Sequence, residues 1–254
     1  MVFVDVHCHL DFKDFDLDRN ILVEELKSKN IICLTNTLNP QNFEDTKKLF
    51  YGCDNIKVCP GLYPQDAEKI SEKDFLDYLN LIRKEQDSIV AIGEVGLDYY
   101  HTVDPDLWDI QKKRFMSLIE LAIELDKPML IHTRKAEGEV LDILKEYVEK
   151  YNFKKFDLHC FTGKKKYIKI IKELGIYVSI PLSVLKSEGF QLLVKELPVR
   201  QLLVETDSPF LNPERVRNSP LNVPLIYQKI AEIKGYDLNE IKNIIYRNYQ
   251  KFVF

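Results

Sequence analysis

Four of the five histidines fall at the ends of short apolar runs: His7 and His9 near the N-terminus, His132 after Met129–Ile131, and His159 after Phe156–Leu158. Two acids, Glu94 and Asp207, close comparable runs. Imidazole nitrogen mixed with carboxylate oxygen suits zinc or manganese, or magnesium where water completes the shell, and does not suit thiophilic metals. An HxH pair alone is often incidental, and a lone acid at a strand end is usually a cap or an ion-pair partner. Six such groups at equivalent positions are a different matter. Burying them together costs several kcal/mol per charged group unless cations balance them. Six donors exceed the needs of one four-coordinate ion that keeps a position open, so two divalent ions (Mg, Mn or Zn) about 3.5–4 Å apart use them better. His7, His9 and Asp207 are assigned to one ion and His132 and His159 to the other, with Glu94 shared.

The elements that must position these groups alternate along the whole chain. Apolar or β-branched runs at 2–6, 31–37, 56–61, 89–94, 129–132, 156–159, 176–180 and 202–206 predict eight strands. Amphipathic stretches separate them, for example 107–125, and two more at 221–234 and 238–252 follow the last run. No Gly-rich phosphate loop follows the first strand, and no linker interrupts the series. The expectation is an α/β fold, a (β/α)8 TIM barrel forming a single domain over 1–254, whose C-terminal strand ends ring one mouth. Alternation along the first strand puts Phe3, Asp5, His7 and His9 on the inward face and Val2, Val4, Val6 and Cys8 on the outward one. Asp5, Asp157 and Glu205 each precede a proposed ligand by two residues, so each is expected to face inward one layer lower and to orient a histidine. His101, in the polar stretch 100–106, is expected to be a loop histidine, and Cys8 and Cys160 small core residues.

Composition narrows the classes. With 45% hydrophobic residues in 254, disorder is excluded, and no apolar run approaches the ~20 residues that cross a bilayer, so no membrane partner and a cytoplasmic location are expected. Five cysteines without a CxxC pair argue against a disulfide framework. Lys plus Arg number 36 against 40 Asp plus Glu, a net charge of −4, so any polyanion must be held locally. Arg134 with Lys135, the run Lys164, Lys165 and Lys166, and Arg215 with Arg217 all follow predicted strands and are the candidates for that rim.

The motifs His-Cys-His-Leu-Asp (7–11), Gly-Glu-Val-Gly-Leu-Asp-Tyr (93–99), Ile-His-Thr-Arg (131–134), Leu-His-Cys-Phe-Thr-Gly (158–163) and Glu-Thr-Asp-Ser-Pro-Phe-Leu (205–211) together resemble the TatD family of metal-dependent deoxyribonucleases. Arg217-Asn218-Ser219-Pro220 extends the likeness towards the final helix. The resemblance implies an amidohydrolase-type TIM barrel and a divalent-metal site on the six residues above. It also implies cytoplasmic hydrolysis of DNA phosphodiesters by metal-activated water, on single strands or strand ends, with 3′-to-5′ exonuclease polarity. Glu94 and Asp207 are the candidate catalytic residues, Asp207 orienting the water and accepting its proton. One departure stands out. Where the family commonly has Gly-x-His-Pro after the third strand, this chain has Gly61-Leu62-Tyr63-Pro64-Gln65. Tyr63 donates one hydrogen bond but carries no positive charge at neutral pH, so substrate contact there is weaker or differently arranged.

Two other readings keep the site. The same mouth could hydrolyse an amide, lactone or ester, although many such enzymes bridge their ions with a carboxylated lysine and here Glu94 takes that place. The barrel could instead be a metal-stabilised binding module for DNA or a protein, a reading prompted by Tyr63 and Gln65.

Overall fold

Strands of a parallel barrel are buried on both faces, and β1 (Phe3–Cys8) shows it: Val4, Val6 and Cys8 are fully covered on one side, Asp5 and His7 on the other. The computed structural model describes residues 2–254. It contains seven further parallel strands, β2 (Ile31–Asn36), β3 (Ile56–Cys59), β4 (Ile92–Asp98), β5 (Met129–Arg134), β6 (Phe156–Leu158), β7 (Tyr177–Ile180) and β8 (Leu202–Val204), each followed by helix. This is the expected α/β barrel. Among the described residues no helix is long and apolar enough to cross a membrane.

Ladders join β1 to β3 and β4 to β8, and two seams close the ring. At the first, Leu62 bridges Val95, the Leu62 amide donates to the Glu94 carbonyl at 2.9 Å, and the Gly93 amide donates to Pro60 at 2.9 Å. At the second, the Asp207 amide donates to the His7 carbonyl at 2.8 Å and the His9 amide to Ser208 at 2.7 Å. Both seams therefore run through residues singled out for chemistry.

The helices cover the barrel with their apolar stripes. Pro105–Glu124 buries Phe115, Leu118, Ile119 and Ala122 and begins with an Asp104 cap and proline in its first turn. Leu238–Val253 opens on an Asp237/Glu240 capping box and buries Ile241, Ile245 and Phe252.

The fourth strand differs most from expectation: it covers Ile92–Asp98, not 89–94. Gly93 and Gly96 resemble turn punctuation, but contact is what requires them. A Cβ on Gly96 would lie 2.0 Å from the His132 carbonyl oxygen, and one on Gly93 would lie 2.6 Å from the Leu130 Cβ.

Gly61 sits at the first seam, where an added Cβ would meet the Thr37 carbonyl at 1.9 Å and the Glu94 amide at 2.3 Å. Backbone atoms cannot yield as side chains do. Gly61→Ala is expected to destabilise the protein by ~3 kcal/mol or more in urea unfolding; stability within ~0.5 kcal/mol of the parent would show that the seam is loose.

Candidate metal centre

Glu94, in mid β4, lies at the centre of the mouth, 3% exposed. Its Oε1 is 2.8 Å from His132 Nδ1 and 3.0 Å from His159 Nε2, and those two nitrogens are 3.2 Å apart. Its Oε2 is 3.5 Å from His7 Nε2 and 3.4 Å from His9 Nε2. Asp207 Oδ1 lies 3.5 and 3.4 Å from the same two nitrogens. The six predicted donors thus converge as two sets that share one carboxylate. Asp207 reaches the mouth by a left-handed residue (φ 53°) three positions beyond β8, and not by strand alternation.

The first donor set fits a divalent cation. Four donors about 2.0–2.1 Å from a tetrahedral ion lie roughly 3.3–3.4 Å from one another, close to the spacing in the His7, His9, Glu94 and Asp207 set. His7 is fully buried with neither ring nitrogen hydrogen-bonded, a state that a cation at Nε2 would relieve. Two tautomers are fixed by their partners. His9 Nδ1 lies 2.8 Å from the Asn36 carbonyl, which only accepts, so Nδ1 carries the proton and Nε2 faces the site. His132 Nε2 is bound at 3.0 Å by Asp98, which frees Nδ1.

Charge among these side chains is strongly coupled. Burial and the neighbouring His159 push His7 down to about 4. Burial also opposes charge on His9 and His132, but contacts with Asp207 and Glu94 lift His9 to about 9, and Asp98 and Glu94 do the same for His132. Against its own burial, Glu94 is held well below the usual carboxylate range by His159, His132 and His7.

The acids one layer lower behave differently from expectation. Asp5 meets no imidazole; it accepts from the Thr206 amide at 2.9 Å and the Thr206 hydroxyl at 2.5 Å, tying β1 to the chain after β8. Asp157 also meets none, and its Oδ2 lies 2.7 Å from Ser179 Oγ. Only Glu205 approaches a ligand, 3.8 Å from His159 Nδ1, while it accepts from the Cys160 amide at 2.7 Å and lies 2.6 Å from Ser179 Oγ. One hydroxyl proton cannot serve two carboxylates, so either Asp157 or Glu205 must donate to Ser179. Burial pushes Asp157 to about 7 and, helped by Asp157 and Asp207, lifts Glu205 well above the usual range.

Asp98 is the residue the sequence reading missed. Fully buried at the end of β4, its Oδ2 accepts from His132, from His101 Nδ1 at 2.7 Å and from the Tyr63 hydroxyl at 3.2 Å. Glu94, Gly96 and Asp98 share one strand face, so alternation would have found it had β4 been given its full length. His101 is a turn residue as expected, yet it is bonded into the site's support. Tyr63, expected to contact substrate, has its hydroxyl engaged on Asp98 and its ring edge-on to His132.

The candidate cations separate. Arg134, stacked 4.1 Å over Tyr100, lines a cleft of about 570 Å³ with Lys135, Lys164 and Tyr167. Lys165 turns to a different depression beside Ile168 and Lys172, and Lys166 lies over Tyr167. Arg217 is not free for a substrate: it binds Asp18 at 2.8 and 2.5 Å and the Asp14 carbonyl at 2.6 Å.

A family model described as TatD related DNase matches residues 4–253. The chain belongs to the TatD family. An uncharacterised metal-dependent hydrolase of Methanocaldococcus jannaschii is 33% identical over 98% of this chain and 96% of its own length. Human deoxyribonuclease TATDN3 is 32% identical over 96% of this chain and 92% of its own. In fold, the crystal structure of a TatD homologue from Escherichia coli superimposes with a TM-score of 0.87 at 22% identity, covering 99% of this chain and 97% of that one. This TatD protein is accordingly a metal-dependent hydrolase acting on ester bonds.

Two substitutions separate the carboxylates by role. Asp98→Asn weakens the acceptor behind His132 and is expected to lower divalent-metal affinity ~10–100-fold in calorimetric titration; unchanged affinity would remove Asp98 from the support of the site. Asp157→Asn should leave that affinity unchanged. The proton on Asp157 is retained in the fold up to about pH 7 but lost near 4 in the unfolded chain. Between those values the folded state holds more protons, so stability contributed by the neutral acid falls as pH rises. Asp157→Asn should flatten the decline in Tm between pH 4.5 and 7; a slope equal to the parent's would show that Asp157 is already ionised.

Proposed function

We propose that this TatD protein is a deoxyribonuclease that uses two divalent ions, Mg, Mn or Zn, to hydrolyse DNA phosphodiesters, as a 3′-to-5′ exonuclease on single strands or strand ends. The observation that carries the reading is the single Glu94 carboxylate shared between His7 and His9 on one oxygen and His132 and His159 on the other, in a protein whose Arg134, Lys135 and Lys164 line one cleft with Glu137. His7, His9 and Asp207 would hold one ion and His132 and His159 the other. Ions so held supply Lewis acidity that generates a nucleophile from water and neutralises charge developing on phosphoryl oxygens.

The side chains account for the remaining steps. Of the six donors, Asp207 and His132 are the most exposed, with side chains 13% and 11% accessible against 0–7% for the others. Substrate and water enter between them. Asp207 orients the attacking water and takes its proton, because it is the only carboxylate of the set open to that side. Glu94, enclosed by imidazoles, stays ionised and holds the two halves of the site in register. Arg134 and Lys164 bind phosphates flanking the scissile one, Arg134 through its planar fork. The cationic cleft favours a polyanion over a neutral amide or lactone.

Glu94→Ala and His132→Ala, each stripped of metal and reloaded, are expected to lose DNA degradation by ~100-fold or more on 3′-labelled and 5′-labelled single strands. Full activity of either variant would refute the site. Release of 5′-label before 3′-label would refute the polarity alone.

A further inference from the structure

Opposite the cationic cleft, the mouth is walled by two aromatic rings that the reading above leaves unused. Phe12 and Phe210 each follow a proposed ligand by three residues and are turned back on it. The Phe12 amide donates to the His9 carbonyl at 3.3 Å, and the Phe210 amide donates to the Asp207 carbonyl at 2.8 Å. Their rings lie 5.0 and 6.2 Å from the His9 ring and 5.6 Å from each other, at 85°. Phe210 remains 48% exposed. A phenyl face left open beside a cluster of charged groups is poorly placed for water alone.

The rings are also held rigidly. Phe12 lies on the loop after β1 and Phe210 on the loop after β8. The ion pair of Arg217 with Asp18, with its bond to the Asp14 carbonyl, ties these two loops together. The Asn218 amide donates to Pro209 at 2.9 Å, fixing the same corner. The end of β5 and the loops after β5 and β6, which carry Arg134, Lys135 and Lys164, lie across the ring of strands. One rim thus presents cations and the other aromatic faces, with Glu94 between.

We propose that Phe210, held edge-on against Phe12, is a stacking platform for the nucleobase next to the scissile phosphodiester. This inference rests on the deoxyribonuclease reading and deepens it. A nucleotide strand is itself two-sided, with an anionic backbone and π-faced bases, and the mouth matches that division. Stacking is indifferent to sequence, since every base has a π face. The platform therefore binds the unpaired terminal base of any sequence and disfavours a base still held in a duplex.

The test compares the metal-loaded parent with Phe210→Ala, Phe12→Ala and Phe210→Tyr. The substrates are a single-stranded oligonucleotide and the same strand lacking the base beside the cleaved bond. The Ala variants are expected to raise KM roughly tenfold on the complete strand, with kcat and metal affinity unchanged, and to match the parent on the strand lacking that base. Phe210→Tyr should retain parent values. Equal losses on both strands, or a fall in metal affinity, would assign the rings to packing around His9 and overturn the platform. A second measurement separates the two readings: a hydrolysis-resistant phosphorothioate strand carrying 2-aminopurine at that position is bound to the loaded protein. Quenching by the parent that Phe210→Ala removes supports the platform even where hydrolysis fails, whereas quenching that survives in Phe210→Ala, or its absence in the parent, overturns it.

Discussion

A single buried carboxylate that must answer four imidazoles is the constraint on which the molecule is organised. Glu94 lies 2.8–3.5 Å from His132, His159, His7 and His9, which come from three different strand ends. Removing the acid would take from His9 and His132 a partner that helps to keep them charged while buried. The backbone of Glu94 is equally committed, since its carbonyl accepts the Leu62 amide that closes the barrel between β3 and β4. At the other seam, the Asp207 amide bonds to the His7 carbonyl. Closing the sheet and assembling the donors are therefore one event, and a chain that failed to close could not form half of the site.

The layer beneath supports the mouth, and one of its acids keeps a proton. Asp5, Asp157 and Glu205 are fully covered, and burial lifts all three above the usual carboxylate range. The shared Ser179 hydroxyl requires a proton on Asp157 or Glu205. Had these acids been ionised, their repulsion would act directly under Glu94 and Asp207. A proton kept on Asp157 or Glu205 lessens that repulsion.

Alternation made His7 legible, since Val4 and Val6 face the helices, whereas Asp207 reaches the mouth from beyond β8 through a left-handed residue that alternation does not foresee. Alternation indicates which way a side chain points but not what it meets. Asp5 and Asp157 do point inward, yet their partners, Thr206 and Ser179, lie on neighbouring chain segments whose register no pattern within β1 or β6 specifies. Asp98 was hidden for another reason. Glycines that permit close backbone contact look the same in sequence as glycines that end a strand, so β4 seemed to stop at Glu94. The lysine run illustrates a third limit. Lys165 and Lys166 open the helix Lys165–Leu174, where successive side chains splay by about 100°, so Lys165 turns to another depression while Lys164 stays with Arg134 and Lys166 lies over Tyr167.

The substitution of Tyr63 for an imidazole acquires a physical sense from Asp98. Three donors, from His132, His101 and Tyr63, meet one oxygen of that carboxylate, and the two histidines outweigh its burial to hold it far below the usual range. A hydroxyl used in this way stiffens the ring that supports His132 and cannot also reach a phosphate. Positive charge on the rim lies instead in Arg134, at the end of β5, and Lys164, after β6, which line one cleft. His101 stays partly exposed with its Nδ1 committed to Asp98, so its remaining nitrogen looks outward from the same carboxylate that positions His132. The tyrosine at position 63 thus joins His101 on the acid that bonds His132, and a hydroxyl donated to Asp98 is not free to donate elsewhere.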